Sequence, residues 1–292
     1  MKTLGLDLGG TKIAAAVVEG GKILSYKRVS TPQNGYDAVV EALAATAKSL
    51  LIEHPEVTSV GVGSPGPLDL NEGIVLFAPN IPGMTDAPLV KSLRAKLDLK
   101  VVLENDANAA GYAEHLYGAA RDFDDSVYIT ISTGIGGGLF VGDAVIHGVS
   151  GGAGEVGHTT LLPGGPLCGC GHSGCWESLA SGRAIARDGT FSYGETLTTR
   201  DVFERAQQGE TKALSVIDKA AYFTGIGLAN LHKTLDPDGF VIGGGMSQVG
   251  AFYLDKIQAA ADEFARGFAP LKIRVAELGT DAGVIGAAAV AL

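Results

Sequence analysis

No stretch of this 292-residue chain reaches the roughly 18 consecutive apolar residues that a membrane span requires. The opening MKTLGLDLGG lacks the basic lead and long apolar run of a secretory leader. A cytoplasmic protein is therefore expected. Basic residues are scarce: 22 Lys and Arg stand against 32 Asp and Glu, a net charge of −10. A chain with that balance has no general attraction for nucleic acid or an anionic membrane. Any phosphate it binds must be held locally, by backbone amides, a helix start or a metal ion. Cysteine is nearly absent, with three residues in all, an odd number that cannot form a disulfide framework. There is no GxxxxGK[ST] phosphate loop, and no Pro/Ser linker or charge run divides the chain.

What the chain has in excess is glycine: 43 residues, against an average usage of about 7%. They are clustered, which marks backbone that turns tightly or approaches a ligand closely. Hydrophobic residues at 46% and charged residues at 18% are ordinary for a globular protein. The length allows two lobes with a cleft between them. Two openings are alike. Residues 2–8 read as a strand, then Gly9, Gly10, Thr11 and Lys12 turn into a second strand running to Val18. Residues 126–132 (SVYITIS) are followed by TGIGGG and a strand over 139–141. The likeness suggests an internally duplicated βββαβ-type unit. Between them, helices over about 37–54, over 89–97 and from near 107 alternate with strands over 59–62 and 100–103, the mark of an α/β sheet. Further on, the pattern predicts two helices in 199–235, a buried strand over 240–242, a helix over 252–268, a strand over 273–275 and a small-residue helix over 283–292. The crossing between lobes is expected as a compact hinge near 110–120.

All three cysteines lie in the eight-residue segment CGCGHSGC, as Cys168, Cys170 and Cys175. Three thiolates plus one further donor make the tetrahedral complement of zinc. His172 lies inside the loop, and His158 precedes Cys168 by ten residues. His158 is the preferred fourth ligand, because the Cys-Gly-x-x-Gly loop is tight for His172 to reach back. Four protein ligands leave no open position for substrate, so the site reads as a staple for a glycine-rich loop with little apolar material to pack. The plainer alternative is three incidental buried cysteines.

Asn105 and Asp106 follow the 100–103 strand and precede a helix-favouring run. Ligands of open α/β sheets sit just past the carboxyl ends of strands. An Asp there suits a base that takes a proton from an attacking hydroxyl, and suits a helix N-cap equally well. Glu155 and Glu177 flank the cysteine segment. They are either solvated charges or carboxylates for polyol hydroxyls, which donate and accept at once. Gly9, Gly10, Thr11 and Lys12 form one turn; Thr133 and Gly134 open another; Gly243, Gly244 and Gly245 follow the 240–242 strand. Such turns present backbone N–H groups to phosphate without net positive charge, and three of them, each directly after a strand, point to a nucleotide.

Together these motifs place the chain. LDLGGTK at the start, GSPGPLD at 63–69, ENDANAA at 104–110, STGIGGG, GEVGHT at 154–159 and CGCGHSGCWE at 168–177 span essentially its whole length. The chain resembles the bacterial sugar kinases of the ROK group (repressors, open reading frames, kinases), closest to the glucokinases, and the last two motifs are the most specific. The resemblance implies an actin/hexokinase-like (ribonuclease H-like) fold, with a cleft between duplicated α/β lobes. The small lobe would comprise 1–116 joined by a C-terminal helix 281–292, and the large lobe, with the zinc loop, 117–280. It implies transfer of the ATP γ-phosphoryl group to the 6-hydroxyl of a hexose, glucose first, with Mg2+ and a structural Zn2+. N-acetylglucosamine, N-acetylmannosamine, fructose and allose are the alternative acceptors; a sugar-sensing regulator without catalysis is the alternative function. By matching position, Asp106 would be the catalytic base. Ser64, Gly66, Asn80, Asn105, Glu155, His158 and Glu177 would bind sugar. Asp7 would help position magnesium, and Gly9, Gly10, Thr11, Lys12, Thr133, Gly134, Gly243, Gly244 and Gly245 would line the nucleotide. His158, Cys168, Cys170 and Cys175 would hold zinc. Repressors of this group carry an added N-terminal DNA-binding segment. With the phosphate motif opening at residue 7 and the charge at −10, an enzyme is expected, with no nucleic-acid or membrane partner, as a homodimer or homotetramer.

Overall fold

The computed structural model describes residues 1–292, the side chain of Gln248 apart. The chain opens with three antiparallel strands, β1 (Lys2–Leu8), β2 (Lys12–Glu19) and β3 (Lys22–Ser30), then helix α1 (Tyr36–Leu51) and strand β4 (Ser59–Ser64). A small meander follows: β5 (Leu68–Asp69), β6 (Ile74–Phe77) and β7 (Thr85–Ala87). Helix α2 (Leu89–Leu97), strand β8 (Lys100–Asn105) and helix α3 (Asp106–Tyr117) come next. Then come β9 (Asp125–Ile131), β10 (Ile135–Val141), β11 (Ala144–Val145) and helices α4 (Trp176–Ala180), α5 (Gly182–Tyr193), α6 (Thr199–Gln207) and α7 (Thr211–Leu235). Strand β12 (Gly239–Gly243), helix α8 (Ala251–Phe264), strand β13 (Ile273–Val275) and helix α9 (Ala282–Ala289) complete the chain.

Two compact units result. One comprises Met1–Asp122, Gly138–Ala153 and Glu277–Leu292; the other comprises Phe123–Gly137 and Gly154–Ala276. In the first, the sheet order is β3-β2-β1-β4-β8, with β4 and β8 parallel to β1. Residues of β2 alternate between two cores, as a strand requires when both faces are covered. Ile13, Ala15 and Val17 join α1 and α2 on one side, while Ala14, Ala16 and Val18 join α3 and α9 on the other. The small-residue sequence of α9 has a packing reason. Its backbone lies so close to the sheet that a Cβ on Gly61 would stand 1.6 Å from the Ala287 carbonyl oxygen.

In the second sheet the order is β11-β10-β9-β12-β13, again with two strands parallel to the first of a hairpin. The same strand arrangement therefore occurs twice, as the two like openings suggest. The long α7 is the spine of the second unit's helical layer. Trp176 is fully buried, and a Cβ on Gly227 would come within 2.6 Å of its indole.

Of the segment 110–120, where a hinge is expected, residues up to Tyr117 are helix and 118–120 form a turn, and the boundary between the compact units falls just beyond it, at Asp122/Phe123. Fully buried Glu114 fixes the end of α3: its carboxylate accepts from the N–H groups of Ala119 (2.9 Å), Glu277 (3.0 Å) and Leu278 (2.8 Å). The chain stays in the first unit to Asp122 and rejoins it at Glu277. Residues 138–153, expected in the large lobe, belong to the first unit as well. There Phe140 stacks on Tyr112 and on His115, and the His115 ring lies 2.8 Å from the Gly142 carbonyl. No helix among the described residues is long and apolar enough to cross a membrane.

Candidate active site and metal centre

In the first unit, β1, β4 and β8 end side by side at their carboxyl edge, with Asp7 in register with Gly63 and Ser64 with Asn105. The helix after β8 starts on a specific cap. The Asn105 side-chain oxygen accepts from the N–H groups of Ala107 (2.9 Å) and Asn108 (3.2 Å). Asp106 is the first helical residue and is exposed. Asn105 is the cap residue, and the Asp106 carboxylate at the start of the helix also accepts from the Ala107 N–H, at 2.8 Å. A Cβ on Gly66 would stand 3.6 Å from Asn105 Nδ2, and one on Gly10 would stand 2.9 Å from the Asn80 carbonyl oxygen. Both predicted sugar-contact loops therefore reach this edge. The first glycine turn is closed by the Gly9 N–H donating to Lys12 O (3.0 Å) and by the Thr31 hydroxyl donating to Gly9 O (2.7 Å). Burial, and then the charge of nearby Asp106, push the Asp7 carboxyl from 3.8 up to about 6, with Lys12 opposing. A carboxylate raised in this way gains from a nearby cation.

Behind the edge lies a pair that sequence reasoning missed. Glu104 is 4% exposed. Its Oε1 accepts from the Asn105 N–H (2.9 Å) and from Asn108 Nδ2 (3.0 Å), and its Oε2 lies 2.7 Å from His147 Nε2. The hydrogen bond to Glu104 holds the His147 imidazole above its usual range. Glu104 was visible only as the letter before Asn105. His147 lies 43 residues away, and no local signal links the two.

In the second unit the donor atoms of His158, Cys168, Cys170 and Cys175 all lie within 4.8 Å of one another. His158 Nδ1 is 3.5 Å from Cys168 Sγ, and Cys170 Sγ is 3.6 Å from Cys175 Sγ. His172 approaches Cys170, with Nδ1 at 3.6 Å, yet it is not among the four grouped donors. The loop is shaped by its backbone: Cys168 N–H donates to His172 O (2.7 Å), and Trp176 N–H to Thr159 O (2.9 Å). His172 donors lower the Cys170 thiol to about 6, whereas burial pushes the Cys175 thiol up to about 12. Thiols gathered this tightly become thiolates together only beside a cation, and three thiols with one imidazole are a donor set that zinc takes.

His158 turns its other face outward. Its Nε2 lies 3.9 Å from the Glu155 carboxylate, and both side chains are exposed. Glu177 joins three features of this unit. Its Oε2 accepts from the Ile135 N–H of the second glycine turn (3.0 Å). Its Oε1 accepts from Arg183 (3.2 Å) and lies 4.0 Å from Cys168 Sγ. The turn itself leaves no room for a side chain at Gly134, where a Cβ would meet Glu177 Oε2 at 2.3 Å.

Thr133 and Gly245 line a cavity of about 790 Å³ in the second unit. Its other walls come from Ser132, from Gly182, Arg183 and Ala186 on α5, from Thr198, Thr199, Arg200, Phe203, Glu204 and Gln207 at or on α6, and from Leu197, Met246 and Val249. A Cβ on Gly243, the last residue of β12, would stand 2.2 Å from the Tyr128 hydroxyl, and one on Gly244 would stand 2.5 Å from the Ile131 carbonyl oxygen, so neither position has room for a side chain. The α5 and α6 walls were not foreseen as site residues. The only available signal was the TTRD capping box of α6, in which Thr198 and Asp201 bond reciprocally.

The ROK family pattern matches residues 3–292. A glucokinase of Streptomyces coelicolor is 39% identical over 98% of this chain and 96% of its own length. An N-acetylmannosamine kinase of Yersinia pseudotuberculosis is 37% identical over 98% and 97%. Among solved structures, a ROK hexokinase from Thermus thermophilus matches with a TM-score of 0.95 and 46% identity, covering 100% of this chain and 98% of that one. A ROK glucokinase from Streptomyces griseus in complex with glucose and AMPPNP matches with a TM-score of 0.86 and 37% identity, covering 100% and 99%.

Proposed function

The chain belongs to the ROK family and has its actin/hexokinase-like fold, and on that footing we propose that it phosphorylates a hexose, glucose first, on the 6-hydroxyl with ATP. The observation that carries this reading is the exposed Asp106 carboxylate at the carboxyl edge of β8, immediately after the cap residue Asn105. The glucokinase relatives and the glucose–AMPPNP complex of a similar enzyme support it.

Phosphoryl transfer passes through a loose transition state, so positioning and charge neutralisation do most of the catalytic work. In this reading Asp106 orients the 6-hydroxyl and accepts its proton as the new P–O bond forms. Asn105, Asn80 and the Ser64–Gly66 loop hold further hydroxyls, and Glu155, His158 and Glu177 are the remaining candidates for hydroxyl contacts. Gly9, Gly10, Thr11 and Lys12, with Thr133, Gly134, Gly243, Gly244 and Gly245, approach the nucleotide through backbone, and the cavity beside Thr133 and Gly245 takes adenosine. Asp7 would hold Mg2+, which when bound supplies neutralisation of the phosphate charges. His158, Cys168, Cys170 and Cys175 would hold Zn2+, which when bound supplies a fixed conformation of their loop. His158 keeps its second ring nitrogen for sugar.

The test is hexose-dependent ADP release with Mg-ATP across glucose, fructose, allose, mannose and the N-acetylated amino sugars. Glucose should give the highest kcat/KM. A chain that releases no ADP with any sugar would overturn the reading. The Yersinia relative favours a second acceptor, N-acetylmannosamine; a higher kcat/KM for it than for glucose would select that alternative.

A further inference from the structure

Glu104 is a buried carboxylate placed directly behind the acceptor edge, and each of its oxygens has a task. Oε1 holds the Asn105 N–H and the Asn108 amide, which fixes the backbone at the β8–α3 junction from which Asp106 projects. Oε2 is 2.7 Å from His147 Nε2, a ring from the segment that returns to this unit between β11 and Ala153. His147 also anchors that segment through its own carbonyl, which accepts from the Ala153 N–H at 3.0 Å. The next residues in the chain are 154–158, GEVGH. One residue thus meets the support of Asp106 through its ring and closes the 147–153 segment through its carbonyl.

We propose that His147 is a positioning residue for the acceptor: through Glu104 it holds the Asn105–Asp106 junction in its reactive placement. Removing it leaves a buried carboxylate with one oxygen unpartnered, which is costly in an interior setting. The carboxylate then turns toward other donors, and the Asn105 N–H loses its fixed acceptor. The consequence falls on the sugar side, since neither Glu104 nor His147 lines the cavity beside Thr133 and Gly245.

This inference rests on the hexokinase reading, so its test carries one readout that does not. His147→Ala should lower kcat/KM for hexose roughly tenfold or more, the scale of a lost hydrogen bond to a charged group, while KM for ATP stays within about twofold. His147→Gln, whose amide can donate to Glu104, should restore most of the loss. Independently of any substrate, hydrogen exchange should quicken across residues 105–108 in His147→Ala, with the β1 and β4 amides remaining protected. If the wild-type chain phosphorylates no hexose, the functional reading fails, and the exchange result alone decides the positioning role. Equal loss in the Ala and Gln variants, or unchanged exchange at 105–108, overturns the proposal. Should His147→Ala fail to fold, Glu104→Leu gives the same exchange readout: it offers no acceptor to the Asn105 N–H or the Asn108 amide, so exchange at 105–108 should again quicken, and unchanged exchange would overturn the proposal.

Discussion

The two units hold their candidate site residues by different means. In the first, Asp7, Ser64, Asn105 and Asp106 sit at or just past the ends of strands buried on both faces, and their placement comes from sheet register, a helix cap and the carboxylate of Glu104. In the second, Glu155, His158 and Glu177 lie in or beside a glycine-rich stretch whose shape depends on short backbone bonds and on four clustered donor side chains. A sheet edge needs only local hydrogen bonds to present a carboxylate. A loop with little apolar material needs a cross-link. On the proposed reading, substitutions at the strand ends should act on turnover, and substitutions at the loop should act on hexose affinity.

The largest expected effect tests the first half of that contrast. Asp106→Asn should lower kcat by roughly 10²–10⁴-fold while glucose binding, followed by calorimetry, persists. Near-normal turnover would remove Asp106 from the chemistry. Next, Cys175→Ser should strip the metal and raise the hexose KM roughly 10–100-fold, with kcat less affected. The single tryptophan, Trp176, adjoins Cys175 and is fully buried, so its fluorescence should report the change. A variant with unaltered KM would sever the loop from sugar binding.

A smaller effect concerns Asp7. Its folded carboxyl titrates near 6, above its ordinary 3.8, so the folded state favours the proton. The associated stability is fully present below about pH 4 and is lost as pH rises through 6. The loss in metal-free protein should be on the order of 2 kcal/mol, less than the full shift implies because the group is partly exposed. Urea unfolding at pH 4.5 and pH 7.5 would measure it, and Asp7→Asn should flatten the difference. Smallest of all, Asn105→Asp should leave stability nearly unchanged, whereas Asn105→Ala should cost about 1 kcal/mol through the lost cap. Both should weaken hexose binding. Equal stability of the two variants would mean that the cap contributes little.

Much of this arrangement was legible in the sequence because it is written locally. Strands 2–8 and 273–275 and helix 89–97 match the structure at both ends. The cysteine cluster and the Asn105-Asp106 pair are short-range patterns and could be read as such. What escaped reading depends on residues distant in the chain or on weak local signals. Strand β3, KILSYKRVS, is mostly exposed and carries little apolar alternation. Helix α5 begins and continues through glycines, in GRAIARDGTFSY, so its propensity is poor. The anchoring of the end of α3 has the same origin. Nothing in the sequence around Glu114 announces that its carboxylate will bind backbone more than 160 residues away. The Glu104–His147 pair is a further case.

The most direct test of the account is a hexose saturation curve at saturating Mg-ATP, taken on protein as purified and again after its tightly bound metal is removed and excess Mg2+ restored. The account predicts about one zinc per chain, a hexose KM at least tenfold higher without it, an ATP KM little changed, and recovery on adding zinc back. Protein that carries no zinc and saturates at the same hexose concentration before and after treatment would contradict it.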